Sequence, residues 1–309
     1  MLDNLFIVST QVLILFILIA VGFICGKTRL ITKQGAGYLT DVVLYIATPC
    51  VIVKSFQEVQ YNLSLLVNLG ITALCATLIH IFSIILCKAV FHNKNENRKK
   101  VLQFATIFSN CGFMSLPLQN ALLGSSGVFY GSVFVGIFNI IVWSYGLLNM
   151  SGNKDDFNIS KIVINPGVLG VTTAIILFFF KIQLPEIIIS PISYFAGLNT
   201  PIPMLVIGYY LSRTKLFDAF KDGGVYAVMG LRLVAIPLIS LFTMMLCGIR
   251  GDILIACTVA ASAPTAATTT MFATKFKRDA DLSVGIVSAT TILSIVTMPL
   301  IIALAQTMS

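Results

Sequence analysis

The longest uncharged stretch of the chain runs from Val101 to Asn153, 53 consecutive residues without Asp, Glu, Lys or Arg. A helix needs about 20 apolar residues to cross the hydrocarbon core of a bilayer. The stretch therefore has room for two spans, and the sequence LGSSG at 123–127 marks the turn between them. Charged residues make up 10% of the whole chain, against about 25% in an ordinary soluble domain. We therefore predict an all-α membrane protein.

The rest of the chain contains eight further charge-poor runs, each long enough for one span. Together with the two spans of the long stretch they predict ten transmembrane helices. Asp41 and Arg232 each interrupt one of the runs. The eight runs are Asn4–Gly26, Gln34–Val53, Val59–Cys87, Ile162–Phe180, Ile187–Ser212, Gly223–Ile249, Ile253–Thr274 and Leu282–Ser309.

The basic residues fall on one side of the predicted membrane. If the N-terminus lies outside, 16 of the 20 Lys and Arg residues fall in inner loops. This asymmetry follows the positive-inside rule, so we predict a multi-pass protein of the plasma (cytoplasmic) membrane with both termini outside. The membrane and its lipid also account for the net charge of +8, and no nucleic-acid partner is expected.

Two halves of the chain carry related sequence. A Thr-Pro pair at 48–49 recurs 152 residues later at 200–201, and the same offset carries Asn110 and Gly112 onto Ser262 and Pro264. Five spans then precede five related spans, and because five is odd the second set enters the membrane from the opposite face. The predicted organisation is a first repeat at 1–150, a short cytoplasmic linker at 151–160 and a second, inverted repeat at 161–309. Inverted repeats with interrupted helices are typical of secondary transporters.

Helices four and nine are predicted to be broken and to cross. Pro117 leaves the carbonyl of Phe113 without its helical donor, and Pro264 does the same to that of Ala260. Such breaks survive in hydrocarbon only where protein, water or ligand supplies partners. The half-helix after a break presents N–H groups that suit an anion, and the half-helix before it ends in carbonyls that suit a cation.

The residues around the two breaks are the candidate substrate site. The polar ones offer hydrogen-bond donors and acceptors, and the small ones let two backbones approach closely. Three alternatives stay open: Asn110 as a bond between helices, the prolines as simple kinks, and the hydroxyls returned to their own helices. The candidates are Ser109, Asn110, Cys111, Gly112, Pro117, Ser262, Ala263, Pro264 and Thr265.

Three ionisable residues lie within predicted spans. As functional groups, Asp41 and His80 would carry protons and Arg232 would attract an anion. As structural groups, Asp41 would match a helix dipole, Arg232 would snorkel or pair with Asp41, and His80 would pack. We favour the structural interpretations. Coupling to H⁺ or Na⁺ therefore stays open, and no other cofactor is expected.

Several segments, SNCGFMSLPL, LYIATPCVIVKSF and ASAPTAATTTMFATKF among them, resemble the auxin efflux carrier family of membrane transporters. The resemblance implies a scaffold of spans one, two, six and seven that forms a homodimer. It also implies a mobile domain of the other six spans, with the crossing at Pro117 and Pro264. Its implied substrates are organic anions, auxin in plants and dicarboxylates such as malonate or malate in bacteria. The short SGNKDDFNIS linker departs from the long-loop plant members.

Together these features predict a secondary transporter, a permease or efflux carrier, for a small organic anion such as a mono- or dicarboxylate. It would work by alternating access at the crossing of helices four and nine. Neither a nucleotide-binding G-x-x-x-x-G-K-[ST] loop nor a metalloprotease H-E-x-x-H motif occurs in the chain, so no enzyme is expected. The alternatives are a sodium-coupled organic-anion symporter of the bile-acid type and a membrane receptor that binds the anion.

Overall fold

The computed structural model describes residues 2–92, 95–153, 160, 163–214 and 220–309, with the backbone alone for 2–4. Most of the predicted linker, 154–159, lies outside the described residues, as do four of the basic residues assigned to inner loops. Within the described part every regular element is a helix, and one isolated β-bridge joins two of the gaps between helices. The all-helical class is therefore confirmed.

The helices are labelled in chain order. Several of them contain a π-helical turn or a break, and these are treated below. The helices are α1 (Leu2–Lys27), α2 (Lys33–Glu58), α3 (Leu63–Val90), α4 (Glu96–Ile107), α5 (Cys111–Ser151), α6 (Pro166–Phe179), α7 (Glu186–Gly197), α8 (Pro201–Ser212), α9 (Gly223–Leu246), α10 (Gly251–Ser262), α11 (Thr268–Lys275) and α12 (Ala280–Met308).

Six helices of the described chain are long and apolar enough to cross a membrane, namely α1, α2, α3, α5, α9 and α12. Two shorter ones, α6 and α10, are also apolar. At 41 residues, α5 would extend about 60 Å if straight, twice the thickness of the hydrocarbon core. It is instead interrupted at Gly124, whose φ of 60° and ψ of −146° are not helical. This break falls within the LGSSG stretch, where the turn was predicted.

Three prolines follow π-helical turns. Pro49, Pro117 and Pro237 each stand at the second residue of the α-helical segment after such a turn, at Val43–Ala47, Cys111–Ser115 and Leu231–Ala235. A proline ring clashes with the carbonyl four residues earlier and cannot donate to it. A wider turn before the proline accommodates that clash without ending the helix. These prolines therefore shape helices that continue through them.

Glycines let α1 and α8 pack backbone against backbone. A methyl group added at Gly208 would collide with the Ile19 carbonyl and lie 2.6 Å from the Phe23 nitrogen. One added at Gly22 would collide with the Leu205 carbonyl. The same kind of approach joins α6 to α2, where a methyl group at Gly170 would lie 3.1 Å from the Pro49 Cα. In both contacts an element of the first half packs on one of the second.

Charged residues join helix ends on the side predicted to face the cytoplasm. Arg98, near the start of α4, forms an ion pair with Asp222, the N-cap of α9. The Arg98 guanidinium holds the pKa of the Asp222 carboxyl below its usual value. Arg278 donates to the Met150 carbonyl over 2.7 Å and to that of Ser151 over 2.8 Å. These contacts join the start of α4 to the start of α9, and the end of α5 to the segment between α11 and α12.

The α1–α8 contact generates a stability prediction. Gly208→Ala should lower the free energy of unfolding by about 1–3 kcal/mol, because the added methyl group meets backbone that cannot move aside. Gly70→Ala is the matched control, since a methyl group on that exposed face of α3 meets nothing within 4 Å. It should leave stability unchanged or raise it by about 0.5–1 kcal/mol. Thermal unfolding in detergent measures both, and equal melting temperatures would contradict the packing.

Candidate functional site

Two interrupted helices meet in the middle of the molecule. The gap between α4 and α5, residues 108–110, runs antiparallel to the gap between α10 and α11, residues 263–267. The Asn110 N–H donates to the Pro264 carbonyl over 2.7 Å, and the Ala266 N–H donates to the Phe108 carbonyl over 2.9 Å. We call these two gaps the crossing. Each satisfies backbone groups that the other leaves unpaired, as an apolar surrounding requires.

The local sequence explains why the chain leaves the helix at the crossing. Pro264 cannot donate a backbone hydrogen bond, and its ring pushes the preceding residue into an extended conformation. Ala263 has that conformation, with φ of −61° and ψ of 147°. Phe108 is extended as well, although no proline follows it. Pro117 lies within α5, beyond the π-helical turn and outside the crossing. The first break therefore depends on its partner segment and not on a proline of its own.

Hydroxyl and amide side chains bind the two interrupted helices to each other. Thr265 Oγ1 donates to the Ala105 carbonyl over 2.9 Å. Ser115 Oγ donates to the Val259 carbonyl over 2.9 Å, and Gln119 Nε2 to that of Ala256 over 2.8 Å. Apart from the predicted Thr265, these groups were missed, although Ser115 and Gln119 are polar residues in an apolar stretch. These hydrogen bonds therefore join the second gap to α4, and α5 to α10.

The helices that leave the crossing begin without caps. Asn110 and Ala267 occupy the N-cap positions of α5 and α11, and neither makes a side-chain cap hydrogen bond. The first N–H groups of a helix have no partner within it, and they carry the positive end of its dipole. Two positive helix ends therefore adjoin the crossing, where they suit an anion. At α11, however, the N–H groups of Thr269 and Thr270 already donate to the carbonyls of Ala266 and Ala267, over 3.0 and 3.1 Å.

The side chain of Asn110 is available to a ligand. It is 6% exposed, and no hydrogen bond to its amide is found within the described ranges. A methyl group added at Gly112, two residues on, would meet nothing within 4 Å. No other group therefore covers the start of α5 closely at Gly112.

The other candidates of the second break are enclosed. Ser262 is fully buried, and its hydroxyl donates to the Val259 carbonyl of its own helix over 3.1 Å. Ala263 and Thr265 are fully buried too, and Ser109 and Cys111 are 2% and 1% exposed. The structure thus brings together all the predicted candidates except Pro117. Among them Gly112 adjoins open space, and the Asn110 amide has no hydrogen-bond partner in the described chain.

Pro117 lines a polar cleft instead. This cleft has a volume of about 210 Å³. Lys54 and Glu58 form an ion pair at 3.5 Å in its wall, and the Ser125 hydroxyl donates to Glu58. The buried Thr48 donates from its Oγ1 to Asn199 Oδ1 over 3.0 Å. The lining residues come from α2, α5, α7 and the segment before α8, and are Val51, Lys54, Ser55, Glu58, Leu116, Pro117, Asn120, Ser125, Val128, Ala196, Gly197, Asn199 and Thr200.

Arg232 is fixed at the opposite pole of the crossing. Its Nη1 donates to the carbonyls of Thr106 and Ile107, both over 3.2 Å, and its Nη2 donates to that of Ala261. The residue is 1% exposed, so it does not snorkel to the interface. Nor does it pair with Asp41. Both expectations were wrong, because the guanidinium is held where α4 and α10 end.

The other two ionisable candidates lie away from the open space. His80 is 2% exposed, with Nδ1 at 2.7 Å from the Ala76 carbonyl and its ring 5.3 Å from that of Phe134. This environment agrees with a packing role. Asp41 is exposed on α2 and forms no ion pair with any described residue.

Comparisons with known proteins agree on one class. Residues 7–302 match the family model described as membrane transport protein. A protein of Methanocaldococcus jannaschii, named an uncharacterized transporter, is 24% identical over 301 residues, which cover 94% of this chain and 96% of that protein. Another uncharacterized transporter, from Methanothermobacter thermautotrophicus, is 25% identical over 305 residues, covering 96% and 98% of the two chains. The similarity therefore extends over both halves of the chain.

The bond of Thr265 generates a second stability prediction. Thr265→Val keeps the shape of the side chain but leaves the Ala105 carbonyl unsatisfied, which should cost about 1–3 kcal/mol of unfolding free energy. Thr269→Val is the control, because the buried Thr269 hydroxyl has no hydrogen-bond partner among the described residues. Its substitution should be neutral or stabilising. Equal losses of thermal stability in the two variants would mean that the Thr265 bond does not support the crossing.

Proposed function

The chain belongs to the membrane transport protein family, of the auxin efflux carrier type, and from this premise we propose that it is a secondary carrier for a small organic anion. The class of substrate is a mono- or dicarboxylate, with malonate and malate as the first candidates. One observation carries the proposal. At the crossing, uncapped helix starts adjoin a buried Asn110 amide that has no partner within the described chain.

An anion bound beside Asn110 would be held without any contact to a basic side chain. Each helix N-terminus carries about half a positive charge, concentrated on its unpaired N–H groups. Oriented N–H groups at helix starts bind carboxylates and phosphates in many proteins. The Asn110 amide adds two donors on its nitrogen. We assign substrate contact to Asn110 and Gly112, with Ser109, Cys111, Ser262, Ala263, Pro264 and Thr265 forming the frame and Pro117 lining the cleft.

We further propose the ten-span, inverted-repeat architecture for this fold. In it, α4 and the part of α5 before Gly124 form span four, and α10 and α11 form span nine. Spans six and seven are α6 and the pair α7–α8. The packing of α1 on α8 and of α2 on α6 supports the proposal, since an inverted repeat exchanges these two contacts. The repeats then comprise residues 1–150 and 161–309, joined by the linker at 151–160.

Alternating access follows from this division. The polar cleft separates α2 and the α7–α8 segment, which belong to the proposed scaffold, from α5, which belongs to the proposed mobile domain. Displacement of the mobile domain along this boundary would carry the crossing, with its bound anion, from one side of the membrane to the other. We propose that the scaffold forms a homodimer in the plasma membrane, with both termini outside.

Uptake into proteoliposomes tests the substrate contact at Asn110. Labelled malonate, malate and indole acetate are offered to wild type, Asn110→Ala and Asn62→Ala under proton or sodium gradients. Loss of the Asn110 amide should slow uptake about 10- to 100-fold, because a hydrogen bond to a charged group contributes about 1.5–3 kcal/mol. Asn62 only caps α3, so its variant should transport normally.

Two outcomes would contradict the assignment of function. Saturable uptake at the wild-type rate by folded Asn110→Ala protein would remove the crossing as the binding site. Binding of an acid without any uptake would favour the receptor.

Pro264 provides a separate test of the broken helix. Pro264→Ala permits an intact helix through residues 263–267 and should reduce uptake at least about tenfold, because the helix start at α11 is then lost. Pro191→Ala is the matched control, since Pro191 lies inside α7 on an exposed face. That variant should transport like wild type. Equal uptake rates for the two proline variants would show that the break at Pro264 is dispensable.

A further inference from the structure

The guanidinium of Arg232 has only carbonyl partners. It donates to backbone oxygens of Thr106, Ile107 and Ala261, and the ion pairs found in the described chain all involve other residues. No group of three or more His, Cys, Asp or Glu side chains that could hold a metal ion occurs in the described ranges either. A buried charge without an opposite charge is costly. The balancing charge at Arg232 must therefore come from the backbone.

Two helix C-termini supply that balance. The carbonyls that Arg232 contacts lie at the end of α4 and the end of α10. A helix C-terminus carries about half a negative charge, so two of them offset one guanidinium. A single neutral side chain, or one helix end alone, would not do so. The ends of α4 and α10 thus form a negative pole at the crossing, and the guanidinium of Arg232 occupies that pole.

We propose that Arg232 is the tethered cation of the crossing, occupying the pole where a cation-coupled carrier would bind a soluble metal ion. This inference rests on the proposed function in one respect: it concerns the negative pole of the same crossing at which we propose that the anion binds. The fixed charge keeps the pole neutral in every state of the cycle. Transport therefore takes up no sodium ion at the crossing, which separates this chain from the sodium-coupled alternative.

Removing the side chain should convert the pole into a vacant cation site. In Arg232→Ala the three carbonyls lose their donor inside a closed, apolar environment, where water cannot replace it freely. Free guanidinium is the matching probe, because it restores the same charge and the same fork of donors. The experiment compares the melting temperatures of purified wild type and variants in guanidinium chloride and choline chloride, both at equal low ionic strength.

Arg250→Ala is the matched control. Arg250 also donates to backbone carbonyls, that of Met245 in the last turn of α9 over 2.8 Å and that of Ile249 in the following loop over 2.9 Å. It is exposed, so water replaces the guanidinium when the side chain is removed. Any general effect of guanidinium on the protein appears equally in this variant and in wild type.

The expected result is a guanidinium-specific rise in the melting temperature of Arg232→Ala by at least about 2–4 °C, since a ligand that binds only the folded state stabilises it. Wild type and Arg250→Ala should show no such rise. A response of Arg232→Ala equal to that of Arg250→Ala would overturn the proposal. Because the assay uses no organic anion, its result does not depend on whether the proposed substrate is correct.

A measurement on the wild type covers the case in which Arg232→Ala does not fold. Its melting temperature is compared in sodium chloride and choline chloride. If Arg232 fills the pole, the two salts give the same value, and uptake in proteoliposomes is equal with and without sodium. Stabilisation specific to sodium, or uptake that requires it, would overturn the proposal, because a metal ion would then share the pole.

Discussion

The structure depends on how the unpaired backbone groups of two interrupted helices are satisfied in an apolar environment. The crossing solves this in two ways. The segments at 108–110 and 263–267 bond to each other, and the guanidinium of Arg232 takes the carbonyls at which α4 and α10 end. At the start of α11 the N–H groups of Thr269 and Thr270 donate to the carbonyls of Ala266 and Ala267, whereas no side chain caps the start of α5. The negative pole is thus closed by the protein, and the positive pole is open to a ligand.

Much of this arrangement could be predicted from residue patterns. The uncharged stretch of 53 residues had to turn within itself, and Gly124 supplies that turn. The second break was predicted from Pro264, which disfavours a helical conformation at Ala263. The related Thr-Pro pairs predict that the halves correspond, which stays a prediction; the Thr48 hydroxyl donates to Asn199, beside the second pair.

The remainder depends on contacts between distant parts of the chain. Phe108 leaves the helix with no proline after it, because its carbonyl bonds to Ala266 across the crossing. Pro117 stays inside its helix because a π-helical turn relieves the clash. The sequence pattern placed Arg232 in a span, but it did not identify its partners. These are backbone carbonyls, and two of the three lie more than a hundred residues away in the chain. A buried arginine is usually expected to pair with a carboxylate, so nothing in the sequence indicates that its partners are backbone carbonyls.

Direct binding of carboxylates to the purified protein tests the central claim, that the open pole of the crossing holds an organic anion. A panel of mono- and dicarboxylates is titrated into wild type, Asn110→Ala and Asn62→Ala in detergent, with heat release as the signal. The account predicts saturable binding of at least one acid by wild type and Asn62→Ala, and binding at least about tenfold weaker in Asn110→Ala. Equal affinity in the Asn110 variant, or no binding of any carboxylate by folded wild type, would contradict it.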